Sequence, residues 1–279
     1  MSGADIVFLK SASGFEELRA QVSGQGAFTR EDDDYLCLYF DPSTVQSKMR
    51  RDKPAELALG YTRAMMAFLL FAPQPRNIAM IGLGGGSMPK YCYARLPDAA
   101  VVVAEIDAEV IALRDQFLVP ADDARFQVLR MDGAEFMRGP ASMQRGPFDA
   151  IVVDGFDARG QPAQLCSLDF YANSYARLAP GGVVAVNLHH NEFYSVALER
   201  LRQVFDRALV VVDCETSANR IAFGYKGDLA EVFDHELTAR VRELSPQHPV
   251  DLCRTARRLK REWLNDWLDR YVNRGEAAL

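Results

Sequence analysis

From Asn77 onward the chain alternates short apolar runs with stretches of helical periodicity, and that alternation limits the fold more than any other feature. The runs are IAMIGL, AVVVAEID, FQVLRMD, FDAIVVDGFD, GGVVAVNLH and ALVVVD. Each is β-branched or apolar nearly throughout, as strands buried on both faces of a parallel sheet must be. AEVIALRDQF and SLDFYANSYARL lie between them as helix candidates. Strand alternating with helix implies right-handed βαβ units and a doubly wound, mostly parallel α/β sheet. NRIAFGYKG supplies a last strand that can return against ALVVVD as an antiparallel hairpin, and the tail from Asp228 reads as helical.

The segment ahead of this pattern is different in kind. YLCLYFDPSTVQ is β-like and ends in a turn at Asp41-Pro42, while PAELALGYTRAMMAFLLF reads as one long helix with Pro54 in its first turn and Pro73 beyond its end. Within it AMMAFLLFA is too short to span a bilayer, which takes about 20 apolar residues. A net charge of −6 gives no electrostatic reason to expect nucleic acid or an anionic membrane as partner. RTARRLKREW in the tail reads as a solvated helix face. The N-terminus lacks a basic start followed by an apolar run, so no secretory signal is expected. The five cysteines are scattered, with no CxxC pair, which suggests neither a disulfide framework nor a zinc site. A cytoplasmic protein is expected.

In open α/β sheets ligands gather beyond the carboxyl ends of the strands. The first such end is Gly82-Leu83-Gly84-Gly85-Gly86-Ser87, which is not the dinucleotide spacing GxGxxG. Glycine costs backbone entropy, so this loop needs positive φ angles or a very close approach of the backbone, either to a ligand or within a tight strand-to-helix turn. The next strand ends in Glu105 and Asp107. Glu105 follows Gly82 by about 20 residues, the placement that hydrogen-bonds a ribose diol. Asp132-Gly133 ends the third strand, where the carboxylate is placed to accept from an exocyclic adenine amine. Asp154 and Asp157 lie at the end of the fourth. Carboxylates repel a pyrophosphate, so this acidic rim disfavours a dinucleotide and favours a sulfonium nucleoside such as S-adenosylmethionine (AdoMet).

The ordered motifs IGLGGGS, AEID, MDGAEF, FDAIVVDGFD and LAPGGVVAVN resemble the spermidine synthase superfamily of Rossmann-like AdoMet-dependent transferases, over about residues 36 to 225. The resemblance implies a small N-terminal β-rich domain over 1–52, ahead of a Rossmann-like catalytic domain with a helical tail over 53–279. It further implies Gln46 and Glu105 on the nucleoside, Asp132 near the adenine, and Asp154 and Asp157 beside the reacting amine. The co-substrate would be AdoMet or decarboxylated AdoMet, with no metal, and the acceptor a small amine or polyamine; a homodimer is left open.

This chain departs from the family pattern at several positions. Gly85 stands where aminopropyltransferases typically carry the aspartate that holds the donor's amino group. The family's Tyr-x-Glu falls on Gly60 and Thr62, beside Tyr61, and its DSSDP becomes Asp154-Gly155-Phe156-Asp157-Ala158. GLGGGS with EID and FD also resembles methyltransferase-like relatives. Aminopropyl transfer, methyl transfer from AdoMet, and nucleoside binding without turnover therefore all remain open. Retention of both Asp154 and Asp157 argues against the last. GQPAQLCSLDFY should wall the acceptor pocket with Gln161 and Gln164, whereas His189 and His190 read as structural. Gly85 is expected to let ligand and backbone approach closely and to relax discrimination between AdoMet and its decarboxylated form.

Overall fold

The computed structural model describes residues 26–41, 44–157, 160–189, 194–214 and 217–276; His190 and Ala158 lie outside them. Three antiparallel strands open the described chain, β1 (Phe28–Glu31), β2 (Tyr35–Asp41) and β3 (Thr44–Arg50). Alternation along β2 sends Leu36 and Leu38 to the face shared with their cross-strand partners Met49 and Ser47, and all four are buried. This small sheet thus has one apolar face, and that face packs into the core of the larger unit.

The larger sheet has seven strands in the order β6-β5-β4-β7-β8-β10-β9. These are β4 (Asn77–Ile81), β5 (Ala100–Glu105), β6 (Phe126–Arg130), β7 (Phe148–Val153), β8 (Leu178–His189), β9 (Leu209–Asp213) and β10 (Asn219–Tyr225). Pairings from β6 through β8 are parallel, and β10 runs antiparallel between β8 and β9. The doubly wound Rossmann-like reading and the terminal hairpin therefore both hold. After β6 the chain crosses β4 to lay down β7, so the winding reverses beside β4, and the crevice at its carboxyl end is where ligands bind in such sheets.

Around the sheet run α1 (Gly60–Met65), α2 (Ser87–Arg95), α3 (Ala108–Ala112), α4 (Gly133–Arg138), α5 (Pro140–Met143), α6 (Leu168–Arg177), α7 (Tyr194–Phe205), α8 (Leu237–Leu244) and α9 (Leu252–Glu276). Two helix expectations need correction. The long helix from Pro54 begins only at Gly60, because the carbonyls ahead of it are taken by side chains: Arg63 donates to Leu57 and Ala58, and the Thr62 hydroxyl donates to Leu59. Its second half, Met66–Leu70, tightens to a 3-10 helix whose residues are all buried. The helix read over AEVIALRDQF stops at Ala112. Beyond it the chain passes through turns to Leu118 at φ 52°, bending so that Phe117 and Val119 point inward. Among the described residues no helix is long and apolar enough to cross a membrane.

Candidate active site

The glycine loop joins β4 to α2, and each glycine answers a different local demand. Gly82 has φ 95°, and a Cβ there would stand 2.3 Å from the Asp154 carbonyl oxygen. Only glycine permits that approach, and it lets the ends of β4 and β7 converge, with the Asp154 N–H donating to the Ile81 carbonyl at 2.9 Å. Gly86, at φ 65°, caps α2 in the left-handed conformation against Val119. Gly84, at φ 51°, has open space apart from ordinary contact with Ser47.

At Gly85 the structure shows a packing demand. A Cβ there would lie 2.7 Å from both Phe117 Cδ1 and Ser47 Oγ, so packing by the small sheet and the 113–119 turn excludes a side chain. Ser47 Oγ in turn lies 3.4 Å from Ser87 Oγ at the start of α2. Beneath them Lys90, 4% exposed, donates to the Phe117 carbonyl at 2.6 Å and contacts Met49 Sδ at 2.9 Å. Burial pushes its ammonium down to about 8.

Glu105 reaches the same loop from β5. One carboxylate oxygen accepts from the Leu83 N–H at 2.7 Å and the other from the Asp107 N–H at 2.8 Å. Burial raises its pKa above the ordinary carboxylate value, and the backbone donors oppose the rise. The Ile106 N–H is a third backbone donor, so of the carboxylate's roughly four acceptor sites about one is left for a hydroxyl of a ligand. Asp107 caps α3 through the Glu109 N–H, and between the two acids Ile106 is exposed, an apolar side chain at an otherwise acidic rim. Asp132 caps α4 with one oxygen, accepting from Ala134 and Glu135, while its other oxygen accepts from Gln164 Nε2 at 3.2 Å. Gly133 next to it is held against Ile81 and Leu165, leaving no room for a Cβ.

Asp154 closes the site from β7. Its Oδ1 accepts from Asn187 Nδ2 at 2.8 Å, and Tyr61 on α1 donates to the same carboxylate. Burial raises the carboxyl above its ordinary value, opposed by these donors. Burial first, and then the neighbouring Asp154 charge, hold the Tyr61 hydroxyl well above its usual range. That hydroxyl also lies 3.5 Å from the Gln46 carbonyl, at the limit of a hydrogen bond, so β3 contributes to this wall. Asp157 is exposed and turns back on Gly160 through paired backbone hydrogen bonds of 2.9 and 3.2 Å. Gln161 Oε1 accepts from Cys166 Sγ at 3.2 Å, while its Nε2 is buried with no hydrogen-bond partner among the described residues.

The structure thus brings Gly82 to Gly86, Glu105, Tyr61 and Asp154 to one strand-end crevice, and ties Gln164 to Asp132. Asn187, Ser47, Lys90 and Ile106 were missed from sequence. Asn187 had a readable signal, since it is the polar residue inside the apolar run GGVVAVNLH. Among the described residues no cluster of His, Cys, Asp and Glu is arranged to hold a metal.

Residues 58–223 match the spermine/spermidine synthase domain. The chain is 33% identical to a polyamine aminopropyltransferase of Chromobacterium violaceum, over 82% of this chain and 87% of that one. It is 32% identical to a polyamine aminopropyltransferase of Neisseria meningitidis, over the same shares. In fold it is similar to a probable spermidine synthase from Corynebacterium glutamicum, with TM-score 0.63, 21% identity, and 78% and 83% of the two chains covered. It is also similar in fold to human methyltransferase-like protein 13 in complex with SAH, with TM-score 0.59, 23% identity, and 72% and 93% covered.

Proposed function

The chain belongs to the spermine/spermidine synthase family, and on that premise we propose that it alkylates a small amine, with aminopropyl transfer as the default. The observation that carries this reading is Asp154, held in the crevice between Tyr61 and Asn187 and drawn beside the glycine loop by Gly82. The residues around the loop suit a nucleoside that bears a cation: carboxylates at Glu105 and Asp132 and an apolar surface at Ile106. A pyrophosphate would meet like charge there.

When bound, decarboxylated AdoMet supplies an electrophilic carbon next to a sulfonium. Glu105 holds a ribose hydroxyl, Ile106 and Asp132 face the adenine, and Gln46 with Tyr61 forms the wall toward β3. An alkylamine has a pKa of about 10 and reaches the site as an ammonium, so it must lose a proton before its nitrogen can form the new C–N bond, as the carbon–sulfur bond breaks and its electron pair leaves on sulfur with methylthioadenosine. Ionised Asp154 orients that ammonium and takes the proton. Asp157 and Gln161 line the route along which the acceptor enters. The rest of the rate comes from alignment of nitrogen and carbon by these fixed groups.

The test is incubation with decarboxylated AdoMet or AdoMet, each with a panel of linear di- and polyamines. Release of methylthioadenosine from the decarboxylated donor is the expected result. Gly85 favours a second reading, since no carboxylate stands there to hold a donor ammonium. S-adenosylhomocysteine formed from AdoMet would establish methyl transfer instead. No turnover with either donor would overturn both.

A further inference from the structure

We propose that Asn187 is a positioning residue for Asp154 and that Asn219 fixes which end of its amide faces the carboxylate; this rests on the reading of Asp154 as the group that receives the amine. Asn187 sits in β8 with 2% of its surface exposed, in the buried run from Val183 to Leu188 that is otherwise valine, alanine and leucine. An amide there leaves costly unpaired groups unless both of its ends are bonded. Both ends are bonded. Nδ2 donates to Asp154 Oδ1 at 2.8 Å, and Oδ1 accepts from Asn219 Nδ2 at 2.9 Å.

The register explains how the second asparagine arrives. In the antiparallel pair, Asn187 stands opposite Ile221, so Asn219 is its diagonal neighbour two residues along β10 on the same face. The chain of donors then has one polarity. An ionised carboxylate only accepts, so Asn187 must turn its NH2 toward Asp154, its carbonyl must face Asn219, and Asn219 must present NH2. Turning the Asn187 amide over would set its carbonyl against the carboxylate and two NH2 groups against each other. Two uncharged side chains on β8 and β10 therefore favour one rotamer and one protonation state of a group on β7. The ionisable side chain facing Asp154 from α1 is Tyr61, and behind Tyr61 lies Cys214 at the end of β9. The remaining influence on Asp154 is burial, which opposes ionisation.

Carbon-13 carboxyl NMR of aspartate-labelled protein reads this directly, with the Asp154 resonance assigned by its loss in Asp154→Asn. In Asn187→Leu the titration midpoint of Asp154 should rise by about one to two pH units, the size expected when a hydrogen bond to a charged group is lost. The acid limb of kcat/KM, measured with decarboxylated AdoMet and the amine turned over, should move up with it, and activity should return at higher pH. Asn219→Ala leaves the donor to Asp154 in place but frees the amide to turn, so it should move midpoint and limb the same way by less. A midpoint that stays fixed in Asn187→Leu, with only stability reduced, overturns the proposal. If Asn187→Leu does not fold, Asn219→Ala decides by the same criterion. Full activity in Asp154→Asn would instead remove the catalytic reading, while the NMR midpoints would still judge the asparagines on their own.

Discussion

Gly85→Ala separates packing from ligand approach as the reason for the glycine. The added carbon would stand 2.7 Å from Phe117 Cδ1, 2.8 Å from Phe117 Cε1 and 2.7 Å from Ser47 Oγ. Carbon atoms in favourable contact lie about 3.5 to 4.0 Å apart, so the overlap with the ring approaches 1 Å. Phe117 is 1% exposed and Ser47 6%, so neither can swing into solvent. The backbone at Gly85 is outside the left-handed region, which leaves sterics as the cause. Overpacking of this kind costs about 1 to 3 kcal/mol. For a chain of this size the melting temperature should fall by about 2 to 4 °C per kcal/mol. Circular dichroism melts measure it. Calorimetric titration with methylthioadenosine, run below the transition, should show affinity changed much less. Phe117→Leu makes room, so the double variant should be more stable than the sum of the two single effects allows. An unchanged melt with nucleoside binding lost would refute this and restore ligand approach as the reason. By the same geometry Gly85→Asp must displace Phe117 and Ser47 before it can influence donor choice.

Asp154→Asn should abolish transfer and spare nucleoside binding, checked by product release and calorimetry on the same preparation. Glu105→Ala should weaken methylthioadenosine binding by about 1.5 to 3 kcal/mol, the worth of hydrogen bonds to a charged group, and calorimetry reads it as a loss of tenfold or more. Lys90 is depressed to about 8 in the folded chain from an ordinary 10.5, so unfolding takes up a proton between those values. Its burial therefore penalises the fold fully below pH 8, and that penalty fades as pH rises toward 10.5, a span of about 3 kcal/mol at most. The stability of Lys90→Met relative to the unmodified chain should accordingly decline from pH 7.5 to 10. A difference that is flat or grows with pH in chemical denaturation would contradict the assignment.

The strands and their acidic tips were legible because a parallel strand buried on both faces must be apolar, so its end shows wherever a carboxylate interrupts the run. Glu105, Asp132 and Asp154 all announce themselves in this way. The helices were less legible. Pro54 is a good first-turn residue, yet Arg63 and Thr62 claim the carbonyls a helix from there would have used, and that competition involves side-chain geometry no periodicity carries. The packing around Gly85 was illegible for a related reason. Its glycine is visible in the sequence, but Phe117 and Ser47, which enforce it, are far away along the chain. Asn187 was visible as an oddity in β8, whereas its partner Asn219 follows only from the pairing register with β10.

The small sheet and the large one share a single apolar core, in which Leu36, Leu38 and Met49 join Met80, Val103 and Phe223. Arg240 on α8 ties that core to the C-terminal helices through the carbonyls of Leu70 and Phe71. Such a core couples the parts cooperatively, so the wall formed by Gln46 and Ser47 has no independent transition of its own. Amide exchange in β2 and β3 should then follow the global opening of the molecule, at rates matching those of β4 and β5. Exchange at that common rate would mark the floor and near wall of the crevice as one cooperative unit.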